Sequence, residues 1–449
     1  MGMQNIASLD RACQTVVQLT RDVMQEPSFC RAHRVSDQCF IRRRKLTFVK
    51  VMVTLLQKTV RSIQLHLHDF FGELGQHSVV ASSWCEARLK LKHTAFIELN
   101  RRAILEVAYG GQSGFPVRRW KGHRLLGMDS SLIRLPDEPA VGQEFGWMEF
   151  SHAPGVGPQR CAQGRLSVLT DVLNRLAIET ILTPWKQCER EVVLAHWPQL
   201  EPQDVSLLDR GFASYELWAR FVAHQRWFVC RCPDSSFAPI NQLFAQNQAG
   251  RSLLVTLSPP ASKRVAVGGA GLPETITLRL VTVRLESGQL EVLATNLLDP
   301  ATYAVEDLRE VYGYRWGMET YYGLIKGRLD LENFSGLSVE AIRQDLHATV
   351  FLSNLESILT RPAQAQLQEA SQQGQHQAQV NRAVSFHAIK RQMIPLLLSA
   401  EPVAQVLPKL QRLFLRNPVY NRPKRKVPRQ KKSPWRSYNY QRNIKKAVF

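Results

Sequence analysis

Apolar residues recur at helical spacing through the first quarter of the chain. Phe48 to Val60 carries an apolar stripe, and Gln64 to Leu74 continues it. The stretch from Ser83 to Lys92 opens a further helix, with Ser82 or Ser83 as its cap. Residues 1 to about 110 are therefore predicted to be mainly helical. The pattern then changes to short apolar runs. Arg124 to Asp129 reads as a buried strand ending in an acid, and so does Asp204 to Asp209. Between them, Leu166 to Val172 and Leu176 to Leu182 read as strands joined by a turn around Leu173, Asn174 and Arg175. Glu189 to His196 is helical, another helix starts at Ser214, and Arg226 to Cys232 is a strand. Three strands, helix, strand, helix, strand: this order implies a mixed α/β sheet.

Residues 233 to 300 interrupt that order with prolines, glycines and two alternating runs, Thr275 to Leu285 and Leu290 to Leu298, and read as a β-rich insertion. A helix around Tyr312 follows, then another from Val339 to Leu359. Gln364 to Gln379 is rich in Gln and Ala and reads as an exposed linker or helix edge. From Asn417 the chain mixes basic residues with Pro, Trp435, Tyr438 and Tyr440, a composition expected to be extended or disordered when free.

Charge sharpens this picture. The chain of 449 residues carries a net +20, unevenly spread. Residues 1–123 hold 19 basic and 9 acidic residues, and 402–449 hold 14 basic and none acidic. The segment 124–401 has 25 basic and 29 acidic residues. Two basic ends around a slightly acidic middle fit a polyanion partner at the ends and a cation site between them. The cluster Arg42, Arg43, Arg44 and Lys45 either touches DNA phosphates or is a solvated charge run. Eight cysteines are scattered, and the lone Cys230-x-Cys232 sits in a strand-like run, which favours buried thiols over zinc. No apolar run approaches the roughly 20 residues of a membrane span, and Val49 to Leu56 is the nearest. With no signal-peptide pattern at the N-terminus, a cytoplasmic location is expected.

The chemistry concentrates between Asp129 and Lys326. Tyr312, Arg315, Glu319 and Lys326 are spaced three, four and seven residues apart, which places them on one face of a single helix. Taken alone, an amphipathic surface helix with an internal ion pair is the better account of that spacing. Asp129 and Asp209 change the balance, because both end apolar strands, where an open α/β sheet presents its ligands. Turn aspartates also occur there. Three converging carboxylates repel unless cations neutralise them, and hard oxygen ligands suit two Mg²⁺ ions, with Mn²⁺ as a substitute. Such a pair activates a water or a 3′-hydroxyl and stabilises the leaving oxygen of a phosphodiester. Arg315, Lys326 and Tyr312 would then contact phosphate oxygens, and Arg210, directly after Asp209, is a further phosphate candidate. Stacking of bases on Trp435 or Tyr438 is a weaker signal.

Asp129, Asp209 and Glu319, with Tyr-x2-Arg-x3-Glu-x6-Lys around the last acid, resemble the DDE transposases of bacterial insertion sequences, in the branch named after insertion sequence four. Asp129 to Asp137, Leu208 to Glu216 and Phe334 to Arg343 resemble the stretches around the family's acids, and Arg43 to Phe71 its N-terminal helical region. Asp137 belongs to a loop pattern and not to the triad. The resemblance implies a ribonuclease-H-like core with a β-rich insertion between the second Asp and the Glu. On that basis residues 1–120 form a helical DNA-binding region, 121–232 and 301–362 the core, 233–300 the insertion, and 363–449 a C-terminal helical and basic region. It also implies cut-and-paste transposition in a bacterial cytoplasm, by a homodimer acting on double-stranded DNA with terminal inverted repeats and on target DNA. Some members stack a flipped base on a Trp of the insertion, but no Trp lies between Trp227 and Trp316 here.

Three alternatives stay open at this stage. A structure-selective nuclease on the same core would ignore the inverted repeats. A non-catalytic DNA-binding descendant would bind without cutting, although all six site residues are present. A serine recombinase using Ser130 or Ser131 lacks an accompanying arginine pair.

Overall fold

A computed structural model describes residues 3–42, 44–59, 62–111, 114–150, 159–372, 374 and 376–420. The chain divides into two compact units that do not follow chain order. One comprises 1–117, 132–164 and 323–449, and the other 118–131 and 165–322. The boundary therefore runs through two long strands. The strands are β1 (Arg124–Arg134), β2 (Trp147–Phe150), β3 (Gln159–Asp171), β4 (Leu176–Pro184), β5 (Asp204–Leu208), β6 (Trp227–Cys232), β7 (Ser252–Leu257), β8 (Ile276–Arg284) and β9 (Leu290–Thr295). Together they make a nine-stranded mixed sheet in an α/β protein.

The second unit is built on the order β4-β3-β1-β5-β6-β9-β8-β7. β1 pairs parallel with β5, and β5 with β6. Parallel neighbours need a crossover, and the helices Glu189–Ala195 and Tyr215–Ala223 supply it. Ser214 caps the second of these, its side chain accepting from the Leu217 N–H. β5 is buried along its whole length, as a central parallel strand should be. Its apolar neighbours, among them Leu126, Met128, Leu169, Trp218, Phe228 and Leu280, form one continuous core.

The segment 233–300 carries the two predicted strands and a third, β7. Its strands β9, β8 and β7 add antiparallel to β6 and extend the main sheet, and it also contains the helices Ala238–Gln246 and Arg264–Gly269. Alternation in Thr275 to Leu285 revealed strands, but β pairing depends on a distant partner that periodicity does not name.

The first unit is helical apart from β2, the adjoining parts of β1 and β3, and a short pair, β10 (Ala378–Val380) with β11 (Pro418–Tyr420). Its N-terminal part holds the helices Met3–Gln25, Pro27–His33, Phe48–Leu56, Ile63–Glu73, Ala81–Arg88 and Thr94–Asn100. Thr47 caps the third by accepting from the Lys50 N–H. Neither Ser82 nor Ser83 is a cap, because the helix from Ala81 begins earlier, after Val80. The helix Val339–Leu359 is buried on nearly every side, the mark of a central helix. It buries polar groups by pairing them: Asp345 accepts from Arg88 at 2.7 Å, and Glu356 from Arg382 at 2.7 Å. Of the two readings of Gln364 to Gln379, the helix holds for its first residues, though Gln364 is buried and not exposed. The segment begins within the helix Arg361–Ala370, where the Gln364 amide bonds both the Ala378 carbonyl and the Val380 N–H. Among the described residues no helix is long and apolar enough to cross a membrane.

Candidate active site

The two aspartates owe their alignment to a buried ion pair. Arg124 opens β1 and Asp204 opens β5, and the two face each other in the parallel ladder. The guanidinium grips the carboxylate with both prongs, each bond 2.7 Å. Counting from that shared start, Asp129 and Asp209 stand at the same level on adjacent strands. Parallel neighbours lie about 4.8 Å apart, so the two side chains leave the sheet side by side. Asp209 falls just past the end of β5, as the sequence suggested. Asp129 does not end its strand: β1 continues for five residues to Arg134. Burial marks the change instead, since β1 is fully buried up to Met128 and half-buried from Asp129 to Leu132.

Asp129 is short of positive charge. The Asp129 carboxyl is pushed up to about 6, chiefly by burial, with the charges of Asp209 and Glu189 adding to the shift. Arg315 and the Ser130 N–H, which donates to Asp129 at 2.8 Å, oppose it only in part. The buried Tyr312 hydroxyl points at Asp209 Oδ1 from 3.5 Å, too far for a strong bond. Burial raises the Tyr312 pKa further, which keeps its proton in place.

The predicted single helix from Tyr312 to Lys326 is broken into parts. Tyr312 closes the helix Val305–Gly313, and Arg315 lies in the turn that follows. Glu319 belongs to the helix Trp316–Gly323, and Lys326 to a wider π-helical turn, Leu324–Arg328. The break brings Arg315 inward. Its guanidinium is buried, donates to Glu319 at 2.9 Å and interacts with Asp209. Its Nε has no hydrogen-bond partner among the described residues, which leaves a buried donor for an anion. Lys326 lies in the first unit, where its ammonium donates to the Leu132 carbonyl at 2.5 Å.

Thus Asp129, Asp209, Tyr312, Arg315 and Glu319 all belong to the second unit. Glu319 is exposed and turned to Arg315, and among the described residues no three acids, histidines or cysteines are grouped closely enough to hold a metal. In this conformation the third acid is balanced by an arginine. The donor set nonetheless fits a hard cation, because Asp129 and Asp209 offer neighbouring carboxylate oxygens and the charge of Asp209 adds to the rise in the Asp129 pKa. Arg210 is exposed in the turn after Asp209, and Arg42 and Arg44 are exposed in the first unit. Arg43, Trp435, Tyr438 and Tyr440 lie outside the described residues. Cys230 and Cys232 are buried free thiols in β6. Asp137 is structural, bonding Arg134 and the Ala162 N–H.

Two neighbours were missed. Glu189 accepts from Ser130 at 3.0 Å and from Arg165 at 2.5 Å, which sets a further carboxylate beside the Asp129 segment. Nothing in its local pattern distinguishes it from an ordinary acid in a first helical turn. Tyr322 donates to the Asp129 carbonyl at 2.7 Å, and its one available signal was its place three residues after Glu319 on the same helix.

Comparison with known proteins places the chain in a family. A family model described as "Transposase DDE domain" matches residues 120–355, which include both aspartates and Glu319. The transposase InsG for insertion sequence element IS4 of Escherichia coli (strain K12) is 24% identical over 326 residues, 70% of either chain. The cryo-EM structure of the piggyBac transposase synaptic complex with hairpin DNA aligns over 98% of this chain and 82% of its own, with a TM-score of 0.39 and 12% identity. Since the family model spans more than half of it, the chain belongs to the DDE transposases, of the insertion-sequence-four type, and is a DNA transposase, an enzyme that cleaves DNA strands and transfers them.

Proposed function

We propose that Asp129, Asp209 and Glu319 are the catalytic acids of this transposase and hold two Mg²⁺ ions, with Mn²⁺ as a substitute. The level placement of Asp129 and Asp209 on adjacent parallel strands, with Arg315 linking Asp209 to Glu319, carries this reading. A bound pair of such ions would supply an activated hydroxyl and stabilise the leaving oxygen. The chain's own residues do the rest. Arg315 offers its unpaired buried Nε to a non-bridging phosphate oxygen, and in taking that anion it loosens its hold on Glu319. Tyr312 remains protonated and able to donate beside Asp209. Lys326 and Arg210 contact flanking phosphates as point charge and fork.

The order β4-β3-β1-β5-β6, with β1, β5 and β6 parallel, supports a ribonuclease-H-like core. Residues 1–120, with exposed Arg42 and Arg44, read the inverted repeats at the element's ends. A homodimer pairs two such ends in the bacterial cytoplasm and joins them to target DNA. The test is donor-DNA cleavage with Mg²⁺ by Asp129→Asn, Asp209→Asn and Glu319→Gln. Each is expected to bind end DNA within about twofold of the parent and to give no cut product, since removing one member of such a unit costs orders of magnitude. Cleavage by any of the three removes that residue from the site.

A further inference from the structure

Tyr322 stands one turn beyond Glu319 on the helix Trp316–Gly323, so the two side chains share a face. The tyrosine is buried, and its hydroxyl makes three contacts. It donates to the Asp129 carbonyl at 2.7 Å, lies 3.2 Å from the Leu166 carbonyl, and receives the Val168 N–H. The bond from the Val172 N–H to the Leu125 carbonyl fixes the pairing of β3 with β1. Counting inward from it, Asp129 faces Val168 in a rung of the hydrogen-bonded kind. A phenol from the helix of the third acid therefore enters the ladder at the first acid. The Ser167 hydroxyl lies 3.3 Å from the same carbonyl and 2.9 Å from His196 Nε2, between which its one proton is shared.

A buried tyrosine that only fills space needs some carbonyl for its proton, and any would serve. This one joins the backbone of one candidate acid to the helix of another. Burial raises the Tyr322 pKa well above its usual value, so the hydroxyl stays a donor.

We infer that Tyr322 is a positioning residue, tying the Glu319 helix to the Asp129 rung so that the acids are held at a fixed mutual distance. The inference rests on the assignment of Asp129 and Glu319 as catalytic. Without the hydroxyl, the Glu319 helix loses its bond to the Asp129 carbonyl, and the carboxyl is free to shift with its backbone. A misplacement of about 1 Å can cost on the order of 100-fold in rate.

The test compares full-length Tyr322→Phe, Ser167→Ala and Asp129→Asn. Mn²⁺ binding without DNA is read by electron paramagnetic resonance, cleavage of donor DNA with Mg²⁺ in single turnover, and end-DNA affinity by gel shift. Tyr322→Phe is expected to weaken Mn²⁺ binding at least about threefold and to slow cleavage at least about tenfold, with DNA affinity within about twofold. Ser167→Ala is expected to show a smaller loss of the same kind, and it decides the matter if Tyr322→Phe does not fold. Parent-like Mn²⁺ binding and cleavage in the folded variants, with Asp129→Asn inactive, overturns the inference alone. Cleavage by Asp129→Asn overturns the underlying assignment instead.

Discussion

The Arg315 guanidinium donates to Glu319 at 2.9 Å, across one turn of the chain from the break between two helices. Glu319, proposed above as the third acid, is thereby paired with the side chain proposed to bind phosphate. On that proposal, arginine and cation compete for Glu319 until DNA arrives. Replacing Arg315 with Met is expected to tighten Mn²⁺ binding by the DNA-free protein several-fold, while slowing strand cleavage by about 100-fold or more through loss of the phosphate contact. Titration of Mn²⁺ and a cleavage time course check the two halves. Unchanged metal affinity would mean that the pair does not hold Glu319 back.

Arg124 and Asp204 set the level of the two aspartates from inside the sheet. Arg124→Met strands the Asp204 carboxylate in a buried place, and denaturant unfolding is expected to show a loss of about 3–5 kcal/mol. A loss below about 1 kcal/mol would show that the pair is not needed to hold β1 against β5.

Gly127 sits two residues before Asp129, where the helix of Glu319 presses closest. An added Cβ would lie 2.5 Å from Met318 Cγ, 2.7 Å from its Sδ and 3.0 Å from Val172. Gly127→Ala is expected to destabilise by about 1–3 kcal/mol, as overpacking does, and to slow cleavage by pushing Met318 and its neighbour Glu319 outward. A variant with parent-like stability and rate would show that the helix has room to adjust.

Much of this site was legible in the chain, for reasons that differ by residue. Asp129 and Asp209 stand out as candidates because buried strands are apolar throughout, so an acid where the run ends is conspicuous. The spacing of Tyr312, Arg315 and Glu319 identified them, although the single helix it implied is absent. A break at Gly313 to Arg315 turns the guanidinium inward, and regular periodicity cannot show a break. The extension of the sheet by β7, β8 and β9 and the burial of Gln364 also escaped, because both depend on partners far away in sequence. Glu189 and Tyr322 reach Ser130 and Asp129 across gaps of 59 and 193 residues, which no local pattern encodes.

Two histidines of the first unit should make stability fall in acid. Burial pushes His66 down to about 4 and His347 down to about 3, against an ordinary value near 6.5. The unfolded chain then binds more protons than the folded one between about 6.5 and those lower values, so stability drops as pH falls through that window. Each contributes a slope of up to about 1.4 kcal/mol per pH unit. His347→Gln is expected to flatten the decline between pH 6 and 4 in denaturant titrations, and an unchanged slope would show that His347 already gains its proton in the fold.

The central claim is that Asp129, Asp209 and Glu319 meet around bound metal. Fe²⁺ placed in the DNA-bound protein, with ascorbate and peroxide, generates hydroxyl radicals that cut the polypeptide beside the metal. The account predicts cuts near residues 129, 209 and 319 together, suppressed by excess Mg²⁺ and lost in Asp129→Asn. Cuts elsewhere, or near only one of the three segments, would contradict it.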